Sequence, residues 1–322
     1  MTTTRSTIRI GTRGSFLART QAIMIRDQVQ RWLDPNAVEL TIIRTRGDQI
    51  TSGALSNIGG KGLFVKEIED ALLSGQVDMA VHSAKDMPVD CPPGLVIAAT
   101  PVREDPRDAW IGWNGMSLAE LPAGAVVGTS SQRRRAQLLQ LRKDVTTCEF
   151  RGNIDTRLRK VEAGEVAGTF LAMAGLKRAC LLPATAEALA VETFIPAAGQ
   201  GVLALQCRSD DAMMRAALGH LHDVTTGAAW EFERAIVKAL GANCQSPIGV
   251  CAVPRGVVNG VRQPGWIVRG IVALPDGSSE ARATLMTQTD GAQALQALQQ
   301  PLLEALNSRG AQAIMKQLRS ES

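Results

Sequence analysis

Two short segments place arginines where a strand passes into a helix. Gly128-Thr129-Ser130-Ser131 runs straight into Gln132-Arg133-Arg134-Arg135, and Arg151-Gly152-Asn153-Ile154-Asp155-Thr156-Arg157 repeats the arrangement. Each follows a short run with apolar residues (125–127; 148–150) and precedes an amphipathic one (136–141; 158–161), the pattern of strand, turn and helix. A helix N-terminus leaves unpaired backbone N–H groups that suit anions, whereas cations there oppose the helix dipole. A negatively charged ligand is the expected counterweight. Two such sites close together point to a ligand with several carboxylates or phosphates. Arg13-Gly14-Ser15, after the first predicted strand, makes a third turn of the same kind.

An acidic candidate stands beside these basic ones. In Ala80-Val81-His82-Ser83-Ala84-Lys85-Asp86-Met87-Pro88, Asp86 follows a buried-type strand and Pro88 breaks regular structure two residues later. Its carboxylate either holds N–H donors and stabilises a developing cation, or forms a surface pair with Lys85. Cys244 lies in the turn-rich Gly241-Ala242-Asn243-Cys244-Gln245-Ser246-Pro247. The preceding helix C-terminus does nothing to lower a thiol pKa, so the residues alone leave it either a nucleophile or an inert loop cysteine.

Other patterns are weaker. Gly59-Gly60-Lys61-Gly62 misses the phosphate-loop pattern, because Leu63 stands where a hydroxyl residue is needed, and reads as part of a Gly-rich lid. His220 and His222 are two apart, which on a helix does not share a face, and no metal site is expected. Consecutive arginines 133–135 point in different directions from a helix, which argues against a nucleic-acid patch.

The elements that must hold these groups alternate. Strands are predicted at residues 8–11, 39–44, 77–81 and 95–99, with helices at 17–32 and 63–73, so a parallel or mixed sheet covered on both faces is expected. Residues 101–108 and 195–201, rich in Pro or Gly, read as crossings into a second lobe and back to a strand at 202–206. From residue 223 a helix (228–240), strands near 250–253, 266–273 and 281–286, and one or two closing helices suggest a small α+β domain. Ligands of such two-lobed proteins lie at the carboxyl ends of strands.

Composition narrows the class. At 322 residues two or three domains are expected; 45% apolar and 20% charged residues are ordinary for a globular protein, and the net charge is only +4. No Tyr and 3% aromatics argue against base stacking. No long apolar run suggests a membrane span, and the first residues lack a signal-peptide core, so a cytoplasmic protein with free thiols is the expectation, and a monomer because no obvious association surface stands out.

The segments 11–22 (GTRGSFLARTQA), 59–73 (GGKGLFVKEIEDALL), 81–88 (VHSAKDMP), 103–109 (REDPRDA), 128–138 (GTSSQRRRAQL), 151–158 (RGNIDTRL), 171–178 (LAMAGLKR), 199–201 (GQG) and 242–249 (ANCQSPIG) together resemble the porphobilinogen deaminase (hydroxymethylbilane synthase) family. They recur in order from residue 11 to residue 249. The resemblance implies an α/β fold with two periplasmic-binding-protein-like lobes of mixed, mainly parallel sheets. Lobe 1 would span 1–101 and 201–222, lobe 2 105–196, and a small α+β C-terminal domain 223–322.

It further implies a transferase that condenses four porphobilinogens head to tail into hydroxymethylbilane, releasing four ammonia, in haem and tetrapyrrole biosynthesis. The primer would be a dipyrromethane cofactor held by a thioether at Cys244. By position, Lys85, Thr129, Ser131, Arg133, Arg134 and Arg151 look like the cofactor set, and Arg13, Ser15, Gln21, Arg157, Arg178 and Gln200 like the substrate set. Asp86 looks catalytic, and Lys61 and Phe64 look like lid or hinge residues. No metal, nucleic acid or membrane is implied. Phe16, Asn243 and the stretch 167–170 depart from the family's usual residues without touching these positions. The alternative is a non-catalytic, two-lobed polycarboxylate-binding or sensor protein.

Overall fold

The computed structural model describes residues 7–32, 38–45, 65–242, 246–258 and 261–320. In chain order the first stretch holds β1 (Ile8–Arg13), α1 (Phe16–Val29), β2 (Val38–Ile43), α2 (Lys66–Leu73), β3 (Met79–Ser83) and β4 (Leu95–Ala99). The second holds β5 (Asp108–Gly112), β6 (Val126–Gly128), α3 (Gln132–Leu141), β7 (Thr146–Cys148), α4 (Ile154–Glu162), β8 (Gly168–Ala172), α5 (Met173–Arg178) and β9 (Glu187–Ala188). Then come β10 (Leu203–Arg208), α6 (Ala212–Gly219), α7 (Val224–Ala239), β11 (Ile248–Pro254) and a small hairpin of β12 (Val257–Val258) and β13 (Val261–Arg262). The chain closes with β14 (Trp266–Ala273), β15 (Glu280–Met286), α8 (Ala292–Gln296), α9 (Gln299–Asn307) and α10 (Ala311–Ser320). None of the described helices is long and apolar enough to cross a membrane.

Two compact units emerge, residues 1–103 with 202–227, and residues 104–201 with 228–322, the division falling inside α7. The sheet of the first unit has the order β2-β1-β3-β10-β4, and that of the second β7-β6-β8-β5-β9. In each, three neighbouring strands run parallel and one reversed strand, β10 or β5, is inserted before the last. Four of five strands therefore point one way, although two of the four pairings are antiparallel. The second unit also contains the antiparallel sheet β11-β14-β15, covered by α7, α9 and α10 around Phe232, Val268, Leu302 and Leu306.

Local chemistry explains the elements. In α1 the buried Gln21, Ala22, Ile25 and Val29 recur at helical spacing, and Ser15 caps it by accepting from the Ala18 N–H at 3.3 Å. Strand β5 is buried along its whole length, as a strand with neighbours on both edges and layers on both faces must be. Predicted boundaries shift where polar groups intervene. The strand expected at 77–81 begins at Met79, because Asp78 turns to accept from Arg9 and Arg208. The helix expected from residue 228 begins at Val224, because the Asp223 carboxylate accepts from the Thr226 N–H at 2.7 Å. Three closing helices stand where one or two were expected.

Candidate active site

In the first unit β1 and β3 are adjacent parallel strands, with Gly11 opposite Ala80. Their carboxyl ends therefore lie side by side, and they carry Arg13 and, through a single 3-10 turn (Ala84–Asp86), Lys85 and Asp86. Lys85 and Asp86 are half-buried. The Ala84 N–H donates to the Val202 carbonyl at 3.0 Å, which fixes the turn against the start of β10. Ser15 sits at the mouth of α1 as its cap. Gln21 is buried, and its Oε1 accepts from Ser83 Oγ at 3.3 Å, so here it braces the end of β3.

Behind this turn lies a polar chain that no local pattern of residues announces. His82 Nε2 meets Gln206 Oε1 at 3.0 Å, and Gln206 Nε2 donates to Glu69 Oε1 at 3.0 Å. Burial pushes the His82 pKa down to about 4, against a smaller upward pull from Gln206, so the ring is neutral near pH 7. Burial likewise raises the Glu69 pKa.

In the second unit the parallel strands β7, β6 and β8 bring three turns to one edge. Arg151 follows β7, Thr129 to Arg134 follow β6, and Arg178 ends α5 after β8. Gly128 is required at the end of β6, since a Cβ there would stand 2.5 Å from the Phe150 ring. Gly152 holds a φ of +123°, which only glycine adopts readily, and so lets the chain turn from Arg151 into α4. Ser131 caps α3, accepting from the Arg134 N–H at 3.4 Å, and Thr129 Oγ1 accepts from the Ser131 N–H at 3.2 Å.

Charge at this edge is dense. Burial first, then the nearby Arg134 and Arg151, bring the Arg157 pKa down to about 10, while its Nε donates to the Gly152 carbonyl at 2.8 Å. Burial also brings Arg178 down to about 10, and its Nη2 donates to the Gly201 carbonyl at 2.7 Å. Arg151 touches Glu149 only at 3.4 Å. Same-sign crowding of this kind is unfavourable unless an anion arrives, and an arginine cluster is suited to carboxylates by its paired, planar donors.

One expectation needs correction. The arginines in the first turn of α3 were to be balanced by a ligand, but the protein supplies its own counterion. Asp108, 0% exposed, accepts from Arg133 Nη1 at 2.7 Å through Oδ2, and from Arg134 Nε and Nη2 at 3.0 and 2.7 Å through Oδ1. Arg133 and Arg134 are themselves buried and also donate to the Ile195 and Phe170 carbonyls. Burial would raise the Asp108 pKa, but the two guanidiniums outweigh it and hold the carboxyl well below the usual range. Gln200 is buried here too, donating to the Pro106 carbonyl at 2.7 Å and to Asp108 Oδ1 at 3.2 Å. Asp108 lay within the segment 103–109 quoted above, but nothing in its neighbours' spacing marked its partners.

Lys61, Phe64 and Cys244, and the whole of the Gly-rich stretch 47–62, lie outside the described residues. Among the described residues no cluster of His, Cys, Asp and Glu has the makings of a metal site. His220 stacks on Trp32 with ring centroids 4.0 Å apart, and His222 Nδ1 accepts from the Thr100 N–H.

The chain is similar to known proteins over most of its length. A family profile described as "Porphobilinogen deaminase, dipyromethane cofactor binding domain" matches residues 8–216, and one described as "Porphobilinogen deaminase, C-terminal domain" matches residues 228–303. A porphobilinogen deaminase of Syntrophotalea carbinolica is 44% identical over 313 residues, covering 97% of this chain and 96% of its own. The chloroplastic porphobilinogen deaminase of Oryza sativa subsp. japonica is 44% identical over 278 residues, covering 85% of this chain and 76% of its own. Solved two-lobed structures are remote. An arginine-specific periplasmic binding protein of Salmonella typhimurium is 13% identical with a TM-score of 0.38, covering 69% of this chain and 93% of that one.

Proposed function

The chain belongs to the porphobilinogen deaminase family, and from that membership we propose that it condenses four porphobilinogens with water into hydroxymethylbilane and four ammonia. The observation that carries the site assignment is the arginine edge of the second unit, where Arg157 is crowded by Arg134 and Arg151. Each porphobilinogen brings an acetate and a propionate, so every added ring delivers two carboxylates. An edge with several guanidiniums at strand ends fits such a ligand and the dipyrromethane cofactor of this family alike. When bound, that cofactor supplies a nucleophilic pyrrole carbon from which the chain is built.

Arg133, Arg134 and Arg151, with Lys85, Thr129 and Ser131, hold cofactor carboxylates. Arg13, Ser15, Gln21, Arg157, Arg178 and Gln200 serve the incoming substrate. Gln21 and Gln200 do so from buried positions in which they brace the strand end and the arginine pair. Asp86 accepts pyrrole N–H groups and stabilises the positive charge that develops as ammonia leaves the substrate. Cys244 is the attachment point, through a thioether, and Lys61 and Phe64 belong to a lid. Elongation from an anchored primer calls for relative movement of lobe 1 (1–101, 201–222), lobe 2 (105–196) and the C-terminal domain (223–322). The protein works as a cytoplasmic monomer without metal, nucleic acid or membrane.

The test is the intact mass of purified protein beside its Cys244→Ala variant, each then incubated with porphobilinogen. An excess equal to two porphobilinogens less two ammonias, absent from the variant, is the expected result. Unmodified protein that binds porphobilinogen reversibly and consumes none overturns the enzyme reading in favour of a polycarboxylate-binding module.

A further inference from the structure

Asp108 has no part in the roles assigned above, yet the arginine edge is built around it. It is the first residue of β5, the reversed strand of its sheet, paired with Ala172 at the end of β8. Because β5 runs against its neighbours, its N-terminal residue arrives at the edge where β6 and β8 end. A carboxylate is thereby placed among groups that come from the carboxyl ends of the other strands. Both its oxygens are engaged, Oδ2 by Arg133 and Oδ1 by Arg134 and Gln200. Three of the Arg134 nitrogens are directed inward by Asp108 and the Phe170 carbonyl. Gln137 joins the same set, its Nε2 and Oε1 both bonded to the Ile195 backbone that also receives Arg133.

Resting on the reading of Arg133 and Arg134 as carboxylate binders, we infer that Asp108 is a positioning residue for the condensation. It clamps the two guanidiniums in fixed orientation, limits the charge they present, and through Gln200 ties them to the 196–201 segment. Two arginines side by side carry a charge of +2, and with Asp108 the buried group carries +1. A polycarboxylate that must lengthen ring by ring and finally leave is served by an edge that attracts it without trapping it. Removing Asp108 leaves the full double charge and only the Ile195 and Phe170 carbonyls to orient the two side chains, so anions are held more tightly and reacting atoms less well placed.

The experiment compares native holoenzyme with Asp108→Asn and Asp108→Glu. Four quantities are read: cofactor load by intact mass, thermal melting, kcat and KM for porphobilinogen, and the distribution of partly elongated adducts by mass. Asp108→Asn is expected to lose about tenfold or more in kcat per cofactor-loaded molecule, with KM unchanged or lower and partly elongated adducts accumulating. Asp108→Glu keeps the charge and shifts the carboxylate by one methylene, so adducts should accumulate less while kcat stays depressed. Where Asp108→Asn does not fold, Asp108→Glu alone decides. A lowered melting temperature with native kcat and KM per loaded molecule reduces Asp108 to a structural ion pair and overturns the inference. Native protein that consumes no porphobilinogen at all overturns the proposed function instead, and this inference with it.

Discussion

The two five-stranded sheets share one winding but support their site residues in opposite ways. Behind the Lys85–Asp86 turn of the first unit, the buried groups are joined by amide and imidazole hydrogen bonds: His82 is neutral, Gln206 bridges, and Glu69 has its pKa raised. Behind the arginine edge of the second unit they are ionic, with Asp108 between two buried guanidiniums. The reversed strand supplies the key residue in both cases, Gln206 from β10 and Asp108 from β5. A reversed strand is the one member of such a sheet whose side chains reach the site from the other direction. What it carries differs: an amide beneath the turn that holds Asp86, and a carboxylate beneath the arginine edge.

Breaking the ionic support should cost most. Asp108→Ala leaves Arg133 and Arg134 buried without their carboxylate, and urea unfolding should register a loss of about 3–5 kcal/mol. A loss below about 1 kcal/mol would mean that water or movement of the arginines relieves the pair, and the contrast between the units would fade.

Next comes Asp86, the carboxylate proposed to act in the reaction. Asp86→Asn keeps shape and hydrogen-bonding reach but removes the charge, so kcat should fall by on the order of 10²–10³ with the cofactor mass retained. Equal losses in kcat and in cofactor attachment would instead assign Asp86 to cofactor assembly.

The buried histidine of the first unit predicts a pH signature. The His82 pKa is depressed from an ordinary 6.5 to about 4, so the unfolded chain binds more protons than the native protein between those values. The stability it contributes is present above pH 6.5 and is lost as pH falls toward 4, by up to ~3 kcal/mol. Glu69, with its pKa raised by burial, acts in the opposite sense as it protonates. Urea unfolding between pH 7.5 and 4.5 should therefore show a steeper decline in the native protein than in His82→Asn, and parallel curves would remove the histidine from the account.

The smallest effect belongs to one arginine among several. Arg157→Gln should raise KM for porphobilinogen about 10–100-fold, the worth of one charge-assisted hydrogen bond, and leave melting nearly unchanged. Relief of the crowding around Arg134 and Arg151 works against any loss of stability, so a clear drop in melting temperature would show the residue to be a structural prop.

Much of this was legible in the residues. Alternating apolar runs gave the strands and helices, Ser15 and Ser131 stood where caps belong, and the arginines fell at strand ends because the strand–turn–helix pattern is local. Segment resemblance from residue 11 to residue 249 supplied the family, and with it the reason for the arginines. What the residues did not show is that Asp108 offsets part of the charge that a ligand was expected to balance.

By itself, then, the sequence determined most of the elements and the chemical character of each strand end, since these depend on neighbours within a few residues. Tertiary structure alone decided which distant groups would meet. His82 and Gln206 are separated by 124 positions, and Asp108 and Arg133 by 25, and both pairs exist because a reversed strand is inserted beside a particular parallel one. Periodicity reports which face of a strand is buried but not which strand lies next to it. Hydrogen bonding across the sheet settles that, and with it the groups that lie behind each strand end.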